Sequence, residues 1–449
     1  MTGRPAFARV RSWAAKRPAA ATDGAGWLAL VVALVLALQA GGQTRPLAVG
    51  LLLLLAATLV VALRFRAGWL VIVVLLVAGC AARLDLLHAG VSDVLTVTAA
   101  ADRLVLAGGN PYGIGYPGSV PPGAPFSYGP LALLWYLPFG RDPGAWETVV
   151  SLATLGLLAI RGRPLGLAVF ALATPLLFLA SDGSNDTSAG VFLLAALVAL
   201  PRSPLAGGFL LALAAAFKPY AAAWLIPLVA WAPIPGVVGF AVGSLVGWGP
   251  AALTWGVGPI VESFRLGLAV HAVPYFSLAA LAESLGLGPT SPATFERLRV
   301  FLTAAVLVVS VPFVRGWRAV LVAGSAVYVV FLYAGYWSTY AYLAALAPVL
   351  CWYLDGWVGL EAGRVRWPGD PVGRLSGWVD ARWPWRGPGQ RDGRTSGGAS
   401  GPRALDTDAQ GADYRHRPSQ REASRWRRNP ASAVPRRRLS AAFSTRIGA

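Results

Sequence analysis

Residues 68–84 read GWLVIVVLLVAGCAARL, an apolar run whose one charge, Arg83, stands near its end. A run of this length is enough to cross a bilayer core of about 30 Å as a helix. Similar runs recur from Gly24 to Trp357. Of the 449 residues, 56% are hydrophobic and 13% charged, with a mean hydropathy of +0.58. A soluble domain carries about 25% charged residues, so the composition excludes that class. The fold class expected is an all-α polytopic membrane protein.

Twelve segments are read as spans. Their approximate cores are Gly24–Ala40, Leu47–Leu63, Gly68–Leu84, Ala145–Ile160, Leu165–Ala180, Ala189–Leu200, Leu205–Phe217, Pro219–Trp231, Val237–Trp248, Leu298–Val314, Ala319–Tyr336 and Tyr342–Trp357. Leu131–Phe139 is too short to cross unaided and is read as a re-entrant or interfacial helix. Charge placement supports this count. With the N-terminus inside, the inner turns carry Arg64, Arg66, Arg161, Arg163, Arg202, Arg315 and Arg318 and no acidic residue. All ten Asp and Glu between Gly24 and Leu350 then fall outside. Had Leu131–Phe139 crossed, Arg161 and Arg163 would face out, against the positive-inside tendency.

The net charge of +18 does not point to nucleic acid, because of where it sits. From Glu361 onward, 18 Arg against 8 Asp and Glu leave +10 in the tail alone. Arg4, Arg9, Arg11, Lys16 and Arg17 lead the chain. Basic ends beside membrane spans fit cytoplasmic termini, with attraction to anionic membrane lipids as an added role. The expected domains are a basic cytoplasmic N-tail at 1–23, a multi-span domain at 24–357 and a basic cytoplasmic tail at 358–449. That tail is rich in Gly, Pro, Ser and Arg, and it cannot bury enough apolar surface to order itself. The run Trp27–Ala40 lacks a convincing cleavage site, so it is read as a retained first span. Cys80 and Cys351 lie inside apolar runs and read as small hydrophobes.

Polar chemistry gathers in three outer segments: His88–Pro130, Ser181–Ser188 and Gly249–Arg297. The first opens on Ser92-Asp93, passes through Gly108-Gly109-Asn110-Pro111-Tyr112 and closes on Pro125-Phe126-Ser127-Tyr128-Gly129-Pro130. Ser92 or Asp93 suits a helix N-cap, and Asp93 also suits a general base at the membrane face, two roles that can coexist. Asp102 reads as a solvated partner of Arg103. Asn110, Tyr112 and Tyr128 read either as turn and interfacial-anchor residues or as a rigid wall for a sugar. Lys218 is one of only two lysines against 36 arginines, and the only one in the membrane domain. It either snorkels to the interface or neutralises a phosphate as a compact charge. Asp182, Asn185 and Asp186 form a polar turn, with substrate contact or a divalent metal as rival readings. Arg265 and His271 are further candidates in the third segment, and Trp337-Ser338-Thr339-Tyr340 reads as an aromatic belt. The chain has no Walker loop, no dinucleotide fingerprint and no Cys/His metal cluster. Nothing therefore supports a soluble nucleotide-sugar or ATP mechanism.

The order of these features resembles the GT-C glycosyltransferases, specifically the polyprenyl-phosphate-mannose-dependent glycosyltransferase family 87. The resemblance covers roughly Asp85 to Tyr353. It rests on Asp93, on Gly109-Asn110-Pro111-Tyr112, on Phe126-Ser127-Tyr128-Gly129-Pro130-Leu131, on Gly183-Ser184-Asn185, on Lys218-Pro219 and on Ser277-Leu278. Gly129 stands where a second Pro is common, Ser184 replaces a usual Gln, and the late aromatic motif lacks a His. Two extra spans precede the usual first one. The resemblance implies a GT-C-like bundle in the cell (plasma) membrane, with an extracytoplasmic active-site loop. It implies an inverting transferase moving a sugar, expected to be mannose, from a polyprenyl monophosphate to a glycolipid or glycan acceptor. Asp93 would be the base. Asn110, Tyr112, Tyr128, Asn185, Asp186, Lys218, Arg265 and His271 would bind substrate. No cofactor and no metal is implied. The rivals are an arabinofuranosyltransferase of the same fold, a transporter or flippase of lipid-linked sugars, and an inactive membrane scaffold.

Overall fold

The computed structural model describes residues 26, 28–36, 54–55, 68–87, 92–139, 142–179, 184–269, 271 and 273–358. All lie in the first of the two units into which the chain divides, Met1–Pro388; the second, Gly389–Ala449, lies outside the described residues. The expected N-tail, most of the first two spans, His88, Asp182 and all but the first residue of the C-terminal tail also lie outside them.

The described chain is mostly helical. In order come α1 (Gly68–Asp85), α2 (Asp93–Leu106), a two-stranded hairpin of β1 (Gly115–Tyr116) and β2 (Ala124–Pro125), and α3 (Pro130–Tyr136). Then follow α4 (Pro143–Ile160), α5 (Pro164–Leu172), α6 (Thr174–Leu179), α7 (Asp186–Ala199), α8 (Pro204–Phe217) and α9 (Leu225–Trp231). The remainder are α10 (Pro233–Trp255), α11 (Val257–Ala269), α12 (Leu278–Ser284), α13 (Pro292–Ser310), α14 (Trp317–Tyr333) and α15 (Ala341–Trp357). The strands pair antiparallel, Gly115 opposite Pro125.

Six of these helices begin on a proline, at Pro130, Pro143, Pro164, Pro204, Pro233 and Pro292. Proline suits the first helical position because its missing N–H would go unpaired there and its φ is already set. Polar caps reinforce two of these starts: Asp142 accepts from Ala145 N at 2.9 Å and Ser203 from Ala206 N at 3.1 Å. The helices therefore start a few residues before the apolar cores read from sequence, because hydropathy discounts the polar cap and the proline.

Two of the described helices, α4 and α10, are long and apolar enough to cross a membrane. Two expected spans are broken. Leu165–Ala180 divides at Ala173, which adopts an extended ψ of 116° between α5 and α6. Pro175 cannot donate to the carbonyl of Ala171. Arg83 does so instead: its Nη1 donates to Ala171 O at 3.1 Å and its Nη2 to Phe170 O at 2.6 Å. Pro219–Trp231 divides into a 3₁₀ turn, Pro219–Trp224, and α9. Leu131–Phe139, expected as one short helix, is α3 followed by a single 3₁₀ turn.

Packing explains the glycines of α10. Gly236, Gly239, Gly243 and Gly247 are its buried residues, together with Ala251. A Cβ on Gly239 would stand 2.1 Å from Leu205 O of α8, so the two backbones meet directly. The outer side of α10 keeps its apolar side chains exposed, Leu253 at 90%. The main core lies among α1, α4, α5, α7, α14 and α15, with Leu75, Leu158, Phe170, Leu197, Tyr328 and Val349 buried. A second cluster gathers Tyr112, Phe126, Leu133, Tyr136, Phe217 and Ile260 from the hairpin segment, α3, α8 and α11.

Candidate functional site

A cavity of about 290 Å³ opens where α2, the hairpin, α7, α8 and the 335–342 turn converge. Asp93, Tyr128, Asp186, Lys218 and His271 line it, together with Ser119, Ser184, Trp337, Tyr340 and Tyr342. Five of the nine residues singled out in the sequence thus meet in one place, from five separate stretches of chain.

Asp93 is the first residue of α2. The capping role belongs to Ser92, whose hydroxyl accepts from Val94 N at 3.3 Å. Asp93 Oδ2 accepts from Val120 N of the hairpin loop at 2.7 Å. Among the described residues nothing donates to its other oxygen, which leaves that atom free to take a proton from a bound hydroxyl. His271 stands near enough for the Asp93 charge to act on it, and it stacks on Trp337 with centroids 3.6 Å apart and planes 4° apart. Burial holds its pKa below the ordinary histidine value of 6.5, and Asp93 opposes that shift only in part. His271 is therefore a neutral ring at pH 7.

Lys218 ends α8 in an extended conformation, φ −135° and ψ 118°, as the proline after it requires. Its side chain turns inward and is 2% exposed. Nζ donates to Asp186 Oδ1 at 2.6 Å. It also lies 5.4 Å from the ring centres of Tyr128 and Tyr220 and 5.6 Å from that of Tyr342. Tyr220 OH donates to the same Asp186 oxygen at 2.7 Å. This is a closed ion pair in an aromatic cage, not a lysine snorkelling to an interface. One of its N–H bonds is used, and the remaining donors border the cavity. Sequence reading missed Tyr220 and Tyr342 as cage residues. The hint was present in Phe217-Lys218-Pro219-Tyr220, because an extended Lys-Pro step directs the next aromatic back toward the ammonium.

Four candidates do not line the cavity. Asn110 closes a turn: its Oδ1 accepts from Tyr112 N at 3.0 Å and its Nδ2 donates to Trp255 O at 3.3 Å. Tyr112 is buried behind the wall, where its hydroxyl donates to Tyr128 O at 3.2 Å. Asn185 is fully buried beside Asp186, with neither side-chain polar atom hydrogen-bonded. Arg265 is 67% exposed on α11 and paired with Glu262 at 2.6 Å. Asn110 and Tyr112 thus shape the wall rather than touch a ligand, and Arg265 is held at the surface by its own helix.

Asp102 corrects another expectation. It is not a solvated partner of Arg103 but 1% exposed, with no hydrogen bond to either oxygen. Burial pushes its pKa up to about 7, against the weaker pull of Arg103. Gly129 also gains a reason. Its N–H donates to Phe217 O at 3.1 Å, and a Cβ on it would stand 1.9 Å from Ala216 O. A proline there would lose that bond and collide with α8. Among the described residues, no group of three His, Cys, Asp or Glu is placed to hold a metal ion. No protein-family model, no curated protein and no solved structure matches this chain.

Proposed function

We propose that the chain is an integral-membrane inverting glycosyltransferase that moves a sugar, mannose in the first instance, from a polyprenyl monophosphate to a glycolipid or glycan acceptor. The observation that carries this reading is one cavity holding a carboxylate oxygen with no donor among the described residues, on Asp93, and a buried ammonium with spare donors, on Lys218. Displacement at an anomeric carbon needs those two groups. Asp93 takes the proton from the acceptor hydroxyl, whose oxygen attacks the anomeric carbon. The bond from that carbon to the carrier phosphate breaks, and its electron pair remains on the phosphate. The spare N–H bonds of Lys218 meet the charge that develops there. The rings of Tyr128, Trp337 and Tyr340 offer faces for a sugar, and neutral His271 adds no competing charge.

In this reading the chain is a twelve-span bundle of the plasma membrane, with cytoplasmic ends and the cavity on the extracytoplasmic face. The exposed apolar faces of α10 and α13, including Leu245, Leu253, Val300, Phe301 and Val308, suit contact with lipid and with the carrier's tail. Caging Lys218 among aromatic rings lowers the local polarity, which strengthens a charge-assisted contact.

The test is an assay of membranes carrying the full chain, supplied separately with polyprenyl-phosphate mannose, polyprenyl-phosphate arabinofuranose and a nucleotide-linked mannose. Release of free polyprenyl phosphate with a new glycosidic linkage is expected from the first donor. Asp93→Asn keeps an acceptor for Val120 N but removes the base, so turnover should fall about 10²-fold or more. No turnover of either polyprenyl donor by wild type, or turnover unchanged by Asp93→Asn, would overturn the reading.

A further inference from the structure

Two of the described helices lack a side-chain cap of their own and receive one from another helix. For α5 the capping residue is Asp355, whose two oxygens accept from Leu165 N at 3.1 Å and Gly166 N at 2.9 Å. For α7 it is Glu147 of α4. Asn185 occupies the N-cap position of α7 without making a cap bond. Glu147 Oε1 instead accepts from Ser188 N, in the first turn, at 2.8 Å. Its Oε2 accepts from Ser188 Oγ and, at 2.6 Å, from Tyr136 OH. Ser188 Oγ in turn accepts from Trp135 Nε1 at 3.0 Å. Glu147 is 1% exposed, and four hydrogen bonds centred on it and Ser188 tie α3, α4 and α7 together.

The position of this knot matters. Asp186 is the first residue of α7, two before Ser188, and its carboxylate is the ion-pair partner of Lys218. A carboxylate at a helix N-terminus satisfies orphan N–H groups and the positive end of the helix dipole. Asn185, at the N-cap position, makes no cap bond that would do this in its place. We propose that Glu147 is a positioning residue. By capping α7 from a neighbouring helix it holds Asp186 against Lys218, and so sets the direction of the ammonium donors that face the cavity. This deepens the transferase reading and rests on it for its purpose, although the coupling itself can be measured without any transfer reaction.

The chain's lysine content makes that measurement possible, because Lys16 and Lys218 are its only two lysines. The full-length protein in detergent micelles is treated with N-hydroxysuccinimidyl acetate, and acetylation at each lysine is read by peptide mass spectrometry, with Lys16 as internal reference. In wild type, Lys218 should acetylate about tenfold or more slowly than Lys16, because its ammonium must leave the buried pair with Asp186 before it can react. Glu147→Ala should raise Lys218 acetylation about tenfold, toward the level of Asp186→Asn, with Lys16 unchanged. Glu147→Gln, which retains an oxygen for Ser188 N, should stay within about twofold of wild type. If Glu147→Ala does not fold, Ser188→Ala takes its place and should raise the rate about threefold. Lys218 acetylation unchanged in the folded variant overturns the proposal. A raised rate in a protein that turns over no polyprenyl donor would leave the positioning role standing and remove the transferase reading alone.

Discussion

Breaking the Lys218–Asp186 pair tests the site where its energetics are most exposed. The two groups meet at 2.6 Å and each side chain is 2% exposed. Removing one partner of such a pair leaves a buried charge without compensation and costs about 3–5 kcal/mol. Lys218→Met leaves the Asp186 carboxylate with only the Tyr220 hydroxyl, so it should fall near about 4 kcal/mol. Asp186→Asn keeps an acceptor for Tyr220 and leaves the ammonium among three tyrosine rings. Each such contact contributes about 0.5–2 kcal/mol, so this variant should sit near the lower end, about 3 kcal/mol. The double variant buries no net charge, and replacing both partners by neutral groups of similar shape should cost only about 1–2 kcal/mol. The single losses would then sum to about 7 kcal/mol against about 2 for the pair, a coupling of about 5 kcal/mol that only direct contact gives. The assay is reversible unfolding of the four proteins in mixed micelles titrated with sodium dodecyl sulfate, followed by tryptophan fluorescence. Additive losses would refute a closed pair. Single losses below about 1 kcal/mol would show that water reaches Lys218 and that the aromatic cage is open.

Three further outcomes are expected. Gly129→Ala brings a methyl group onto Ala216 O at a φ of −73° that alanine tolerates, so its loss of about 1–3 kcal/mol in thermal unfolding is purely steric, and an unchanged midpoint would deny the close approach of α3 to α8. For Asp102 the folded state holds its proton up to about pH 7, whereas an unfolded carboxyl releases it near 3.8. Its contribution to stability is therefore full below 3.8 and lost as pH rises through 7, so the wild-type midpoint should decline over that window relative to Asp102→Asn, and parallel curves would show that Asp102 is solvated. Cysteines at the exposed positions Val120 and Arg202, in a Cys80→Ala, Cys351→Ala background, should react with an impermeant maleimide from opposite sides of the membrane. Reaction of both from one side would discard the orientation proposed for the cavity.

The sequence by itself determined the class of the elements and the residues worth watching. Apolar runs and a lysine alone among arginines are local facts, and local facts set helices and rarity. Asp93, Tyr128, Asp186, Lys218 and His271 were legible as polar groups punctuating apolar sequence, and they line one cavity. Only the tertiary structure decided what each of them faces. Asp186 and Lys218 are 32 positions apart, and nothing local says that their charges close on each other inside a ring of tyrosines. Asn110 and Tyr112 look like ligand contacts until the turn they build is seen to spend their polar atoms on backbone. Glu147 and Asp355 read as two acidic residues in apolar stretches, and they became helix caps only when another helix brought its free N–H groups to them. A helix end leaves backbone donors that something must satisfy, and composition cannot say which distant side chain will do it. That choice belongs to packing, and packing is where this site is made.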